Sequence, residues 1–126
     1  MSKINTHQEL TVFKISFEAA MEIFEISKLF PKEERYSLTD QIRRSSRSVP
    51  ANLAEAWRKR RYPKNFISKL SDCETEAAET QVWIDFALKC DYINEDSHKY
   101  FVDKYDYILS MIVKMSKNPE KWTIQG

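Results

Sequence analysis

The chain has no internal glycine: Gly126, its last residue, is the only one. That removes the phosphate-cradling loop, the G-x-G-x-x-G dinucleotide turn and the Asn-Gly or Asp-Gly hairpin, all of which need backbone without a Cβ. Nucleotide-binding α/β folds are disfavoured, and a chain of helices joined by short polar or proline-marked turns fits. At 126 residues with 42% hydrophobic side chains, the length suits one domain, 1–126, burying roughly two-thirds of the surface its unfolded chain exposes.

Periodicity predicts four helices, over about 10–30, 38–61, 63–92 and 95–118. In the first, Phe13, Phe17, Ala20 and Phe24 form one apolar face and Val12, Ile15, Ala19, Ile23 and Ile26 a neighbouring one. Lys14, Glu18, Glu22 and Glu25 are left as a narrow polar stripe, so this helix should be covered on two sides. Pro31 should stop it after Phe30. The second helix is expected to start at Ser37, with Asp40 completing an S-x-x-D capping box, and to turn Leu38, Ile42, Ser45, Val49, Leu53 and Ala56 inward. Pro50 lacks an amide donor and crowds the preceding turn, which predicts a kink before the helix resumes through Arg61.

Pro63 suits the opening turn of a third helix of about 28 residues, roughly 42 Å. Its inward stripe is Phe66, Leu70, Cys73, Ala77, Ile84 and Leu88. Asn94 can cap the fourth, whose stripe is Phe101, Tyr105, Ile108, Ile112 and Met115. Short connections make successive helices antiparallel neighbours, so the fold class is all-α, an up-down-up-down four-helix bundle.

Compartment and chemistry are bounded next. Cys73 and Cys90 are the only cysteines, and on one helix they lie about 25 Å apart, too far to bridge. A reducing, cytoplasmic setting fits. The start of the chain has no signal-peptide core and no run of about 18 apolar residues occurs, so neither export by this route nor a membrane span is expected, and no membrane partner is assigned. His7 and His98 are the only histidines and neither sits in a Cys/His cluster. Asp72, Glu76 and Glu79 lack the Glu-x-x-His pairing of metal-binding bundles and fall off the inward stripe. Ser45, Ser46, Cys73 and Cys90 have no histidine on the same helix to activate them. The expectation is a non-enzyme with no metal, no cofactor and no small-molecule substrate. Ser45 and Asn52 are expected to make interhelical hydrogen bonds.

The net charge of +1 conceals an asymmetry. Between Gln41 and Lys64 lie eight basic residues and one acid, Glu55, giving +7, so the remainder carries −6. Six of the seven arginines are in that stretch. Projected on a continuous helix, Arg43, Arg47, Arg58 and Arg61 fall within about 60° of one another, opposite the apolar face, in a row about 27 Å long. Guanidinium groups suit bidentate contact with phosphate, and Trp57 and Tyr62 beside the row could stack on bases. The candidate nucleic-acid contacts are therefore Arg43, Arg44, Arg47, Arg58, Lys59, Arg61 and Lys64. The bland alternative stands beside this reading: the outward acids Asp72, Glu76 and Glu79 could pair with these arginines, within the chain or across a subunit boundary.

The third helix also presents Val82, Trp83, Phe86 and Cys90 away from its inward stripe. With the doubly apolar first helix, this exceeds what a monomer of this size usually exposes; self-association is the economical explanation, and a membrane-surface or partner-helix role is the alternative. The candidate interface is Ile15, Ile23, Ile26, Val82, Trp83 and Phe86.

Three segments carry a family resemblance: FPKEERYSL (Phe30 to Leu38), QIRRSSRSVPANLAEA (Gln41 to Ala56) and KLSDCETEAAETQVWIDFALKCDYI (Lys69 to Ile93). Together they resemble the 23S rRNA intervening-sequence proteins, also labelled the S23 ribosomal protein family, over roughly Leu10 to Met115. The resemblance implies an antiparallel four-helix bundle assembled as a ring-like homopentamer. A related protein, the accessory variability determinant of diversity-generating retroelements, shares the bundle and binds nucleic acid and a reverse transcriptase through a basic surface. Arg43, Arg44, Asn52 and Glu55 match positions that the family pattern emphasises, while Ala56 stands where glycine is usual. The partners implied are copies of the chain itself and rRNA or another nucleic acid.

Overall fold

The computed structural model describes residues 4–123, which excludes Gly126. Four α-helices follow in order: α1 Thr11–Ser27, α2 Leu38–Arg58, α3 Pro63–Lys89 and α4 Glu95–Lys117. Single 3-10 turns occur at His7–Glu9, Lys32–Glu34 and Pro119–Lys121, and there are no strands among the described residues.

Three helices end three residues short of what periodicity predicts, α3 at Lys89 where the chain turns through Asp91 and the other two for the local reasons that follow. Helix α1 ends at Ser27 because the amides of Lys28, Leu29 and Phe30 turn to carbonyls three residues back, at 3.3, 3.0 and 3.2 Å, tightening the chain before Pro31. Helix α2 ends at Arg58, with the Lys59 amide on the Ala56 carbonyl, so Lys59, Arg60 and Arg61 form a turn and not a further helical turn. Tyr62 precedes Pro63, and that position disfavours helical backbone. Across Pro50 helix α2 is continuous.

Side-chain contacts run in opposed order along every neighbouring pair of helices, as antiparallel packing requires. Between α1 and α2, Arg43 near the start of one meets Ser27 at the end of the other. Between α2 and α3 the partners are Ser45 with Thr80, Val49 with Cys73, and Glu55 with Lys69. Between α3 and α4 they are Gln81 with Asp106 and Asp85 with His98. Helix α4 closes the ring on α1 through Tyr100 with Glu22 and Lys104 with Glu18.

The core follows the predicted stripe on α4 residue for residue, contains that on α2 and adds Thr39, Ser46, Pro50 and Trp57 to it, and on α3 adds Thr80 and Ala87 while Leu88 is only half-buried. On α1 the buried residues are Val12, Ser16, Ala19, Ala20, Ile23 and Ser27. Four of these six are small, and the Ser16 and Ser27 hydroxyls donate to the Phe13 and Phe24 carbonyls at 3.1 and 2.8 Å. Ser45 makes the expected interhelical bond, its hydroxyl 2.8 Å from that of Thr80. Asn52 instead donates within its own helix, to the Ser48 carbonyl at 2.9 Å. Cys73 is buried and Cys90 exposed, both as free thiols, and burial pushes the Cys73 thiol up to about 12.

Glu34, and not Asp40, caps α2. Its Oε1 accepts from the Ser37 hydroxyl at 2.5 Å and from the Leu38 amide at 3.2 Å, and its Oε2 accepts from the Tyr92 hydroxyl at 2.8 Å. These hydrogen bonds hold the Glu34 carboxyl below the usual range, Ser37 contributing most. They also tie the α1–α2 connection to the α3–α4 turn. That turn bears on the missing glycine: Asp91 takes the left-handed conformation at φ 62°. The Tyr92 amide reaches back to the Ala87 carbonyl and the Asp91 amide to Leu88, a Schellman closure made without glycine. At the other end of the turn Asn94 caps α4, accepting from the Ser97 amide at 2.8 Å.

Candidate functional site

The basic residues of α2 divide into two groups with different surroundings. Arg43 and Arg47, one helical turn apart, both lie over the Phe24 ring of α1, at 4.8 and 5.5 Å from its centroid, and Lys28 reaches the same ring at 4.7 Å. Arg43 is half-buried and its Nε–H donates to the Ser27 hydroxyl at 2.7 Å. It is therefore part of the α1–α2 packing as well as of the charge. Arg44 is fully at the surface, on the side of α2 nearer Glu76 of α3. Burial and the neighbouring Glu79 nevertheless hold the Glu76 carboxyl above its ordinary value. The Ser48 hydroxyl and the Arg44 cation draw it only part of the way back, and Arg44 forms no ion pair with it.

The second group sits where α2 ends. Arg60 lies 3.6 Å from the Trp57 ring centroid, and its Nε–H donates to the Trp57 carbonyl at 2.9 Å. Burial, then the adjacent Arg58 cation, pushes the Arg60 guanidinium down from its ordinary value. Trp57 is 6% exposed, so it supports Arg60 and is not open to a base as its sequence position implied. Arg58, Lys59, Arg61 and Lys64 are exposed, and Tyr62 is 57% exposed. Arg61, placed by sequence on the α2 row, belongs to the turn. The helical row is thus Arg43, Arg47 and Arg58, about 22 Å long, and Arg61 joins Arg60 and Tyr62 beside it.

A chemical division of labour runs through the charges. Every carboxylate paired within 4.0 Å among the described residues is paired by lysine or histidine: Lys28 with Glu25, Lys69 with Glu55 and Asp72, His98 with Asp85, Lys99 with Asp103, and Lys104 with Glu18 and Glu22. No arginine among them does so. Pairing of the arginines with Asp72, Glu76 or Glu79 inside the chain is therefore not what the structure shows. Of that stripe Asp72 is paired by Lys69, which also takes Glu55, while Glu76 and Glu79 form no ion pair among the described residues.

The comparison with known proteins extends over nearly the whole bundle. The model of the 23S rRNA-intervening sequence protein family matches residues 8–114. The chain belongs to that family. A crystal structure of a protein of unknown function from the S23 ribosomal protein family of Bacteroides thetaiotaomicron is similar at TM-score 0.76 and 27% identity, covering 84% of this chain and 95% of that one. No curated protein matches. Among the family positions noted in the sequence, Arg43 packs on α1 and Arg44 is free at the surface. Asn52 hydrogen bonds within α2, and Glu55 holds Lys69 of α3.

The residues proposed from sequence as an oligomer surface separate on burial. Ile23 is fully buried in this family member's own core and offers a partner nothing. Ile15 and Ile26 are half-buried against that core. Val82 and Phe86 are 46% and 53% exposed, with the Trp83 ring 5.9 Å from Phe86 and its indole N–H donating to Glu79 at 3.3 Å. On α1 the apolar side chains at the surface are Phe17 and Met21, which line a groove of about 390 Å³ with Pro50 and Ala54 of α2. Of α1's two apolar faces, the one that carries Phe17 is more open than the one that carries Ile23.

Among the described residues no helix is long and apolar enough to cross a membrane, and no cluster of three or more His, Cys, Asp or Glu could hold a metal ion. Arg60 was absent from the sequence-derived contacts. The signal that finds it is its spacing, three residues after Trp57 at the end of a helix, which brings guanidinium and indole onto one face.

Proposed function

We propose that this intervening-sequence family member is a non-catalytic, self-associating cytoplasmic helical bundle that binds RNA or another nucleic acid through the basic end of α2 and the turn after it. The observation that carries this reading is the absence of any arginine–carboxylate pair among the described residues, where the ion pairs that do form use lysine or histidine. Exposed guanidinium groups concentrated in a +7 stretch raise the local potential, and each phosphate they neutralise releases condensed counterions. The family's name refers to 23S rRNA, and the resemblance to a nucleic-acid-binding bundle points the same way.

A second reading has its own support. Val82 and Phe86 on α3, and Phe17 and Met21 on α1, are apolar and exposed, as a homo-oligomer interface would be before assembly. In such an assembly, a pentamer by resemblance, the arginines would meet acids of the next subunit and bind no nucleic acid.

One experiment separates the two. Fluorescence anisotropy with labelled RNA, with light scattering on the same samples, is run on the native chain and on Arg44→Ala/Arg58→Ala/Arg61→Ala/Lys64→Ala. Loss of RNA binding at unchanged mass supports the nucleic-acid reading. A fall in mass, with no RNA binding by the native chain, supports the scaffold.

A further inference from the structure

Two depressions adjoin at the α2–α3 turn. The first, about 370 Å³, is lined by Trp57, Arg58, Arg60, Arg61 and Tyr62. The second, about 420 Å³, is lined by Arg61, Tyr62, Pro63, Lys64 and Asn65. Arg61 and Tyr62 belong to both and form the wall between them. Each is at the small end of the range for ligand sites, the scale of a single nucleotide and far below that of a duplex.

The chemistry inside them is of two kinds. Planar groups come first: the Arg60 guanidinium, backed on one face by the Trp57 indole at 3.6 Å, and the Tyr62 ring, 57% exposed. Arg60 is held in plane at two points, by that stack and by its Nε–H on the Trp57 carbonyl. Its other N–H groups have no partner among the described residues. A guanidinium fixed in this way is a preorganised platform, since its rotamers are restricted before any ligand arrives. Cationic groups come second: Arg58, Arg61 and Lys64 surround the planes, are exposed, and make no ion pair among the described residues.

Stacking planes flanked by phosphate-binding cations recognise unstacked bases on a flexible backbone. A duplex keeps its bases stacked inside and presents only phosphates to such a surface. From this juxtaposition, and resting on the nucleic-acid reading above, we propose that the α2–α3 turn selects single-stranded nucleic acid. Two successive nucleotides sit either side of Tyr62, one base on Arg60, with phosphates on Arg58, Arg61 and Lys64. The helical row Arg43 and Arg47, already engaged with Phe24 and Ser27, adds backbone charge without strand preference.

The test is anisotropy with a fluorescein-labelled, mixed-sequence RNA strand of about 15 nucleotides, alone and annealed to its complement. The native chain is expected to bind the single strand about tenfold more tightly than the duplex, the scale set by one base–platform stack. Arg60→Lys, which keeps the charge and loses the plane, should cut that preference to below about threefold with duplex affinity unchanged. Tyr62→Leu, at an exposed position that tolerates substitution, should do the same and guards against a folding defect in the first variant. Equal native affinity for strand and duplex overturns the proposal while leaving the nucleic-acid reading in place, and so does a preference that survives in both variants. Binding to neither RNA form overturns both.

Discussion

Arg43 and Arg44 are adjacent, identical in chemistry, and both match emphasised family positions, yet their surroundings predict opposite effects on stability. The Arg43 Nε–H donates to the Ser27 hydroxyl at 2.7 Å, and its guanidinium lies 4.8 Å from the Phe24 centroid. Ser27 is 2% exposed, so losing that donor leaves a nearly buried hydroxyl with one partner fewer. A hydrogen bond to a charged group contributes about 1.5–3 kcal/mol, and a partly exposed cation–π contact about 0.5–1 kcal/mol. The two share one side chain and do not add in full, so Arg43→Ala should cost about 2 kcal/mol. For a domain of this length that lowers the midpoint of thermal unfolding by about 6–10 °C. Arg44→Ala removes an exposed side chain with no hydrogen bond or ion pair among the described residues, and should stay within about 0.5 kcal/mol. Circular dichroism melts of the two variants under one buffer decide it. Equal midpoints would refute the separation of a packing arginine from a free one.

Lys104 and Lys99 offer a parallel contrast in ion pairs. Both reach a carboxylate at 2.7 Å, but the Lys104 side chain is 13% exposed and bridges α4 to Glu18 and Glu22 of α1, whereas Lys99 is 78% exposed. Lys104→Met should lower the melting midpoint by several degrees and Lys99→Met by less than about one, since exposed pairs contribute about 0–1 kcal/mol. Burial opposes the Lys104 charge, but the Glu18, Glu22 and Tyr100 oxygens outweigh it and raise its pKa above the ordinary lysine value. The stabilisation is then complete below the unfolded-state pKa near 10.5 and is lost as pH rises through the higher folded-state value. A native melt that shows no alkaline decline above pH 10.5 beyond that of Lys104→Met would contradict this. Asp91→Gly should raise the midpoint, because glycine takes φ 62° without a Cβ penalty; a lower midpoint would show that the Asp91 side chain supports the turn.

Much of the bundle is legible in the amino-acid pattern because apolar periodicity is strong where one face is buried. The stripes Leu38 to Ala56 and Phe101 to Met115 are the observed core. Helix α1 resists the same reading because both of its faces look apolar, and because four of its six buried residues are serine or alanine, which apolar periodicity weighs little. Ser16 and Ser27 are buried only because each hydroxyl finds a carbonyl in its own helix. The cap at α2 misleads for a related reason: Ser37 has the residue type of a cap, but the carboxylate that accepts the free amide comes from Glu34, behind it in sequence. At the candidate site the charge block is visible in the sequence, but its division is not. Nothing local to Arg43 announces Phe24 and Ser27 sixteen or more residues away. The Trp57, Arg60 and Tyr62 geometry depends on α2 ending at Arg58, three residues before helical propensity alone would end it.

The central claim is that the unpaired basic groups around the end of α2 neutralise phosphates. Its most direct test is the salt dependence of RNA-strand binding between about 50 and 200 mM, where the logarithm of the affinity falls by about 0.7 per contacted phosphate for each decade of salt. Three phosphates met by Arg58, Arg61 and Lys64 predict a slope near −2, about a twentyfold loss over that range. A slope near zero, or no binding at the lowest salt, would contradict the account.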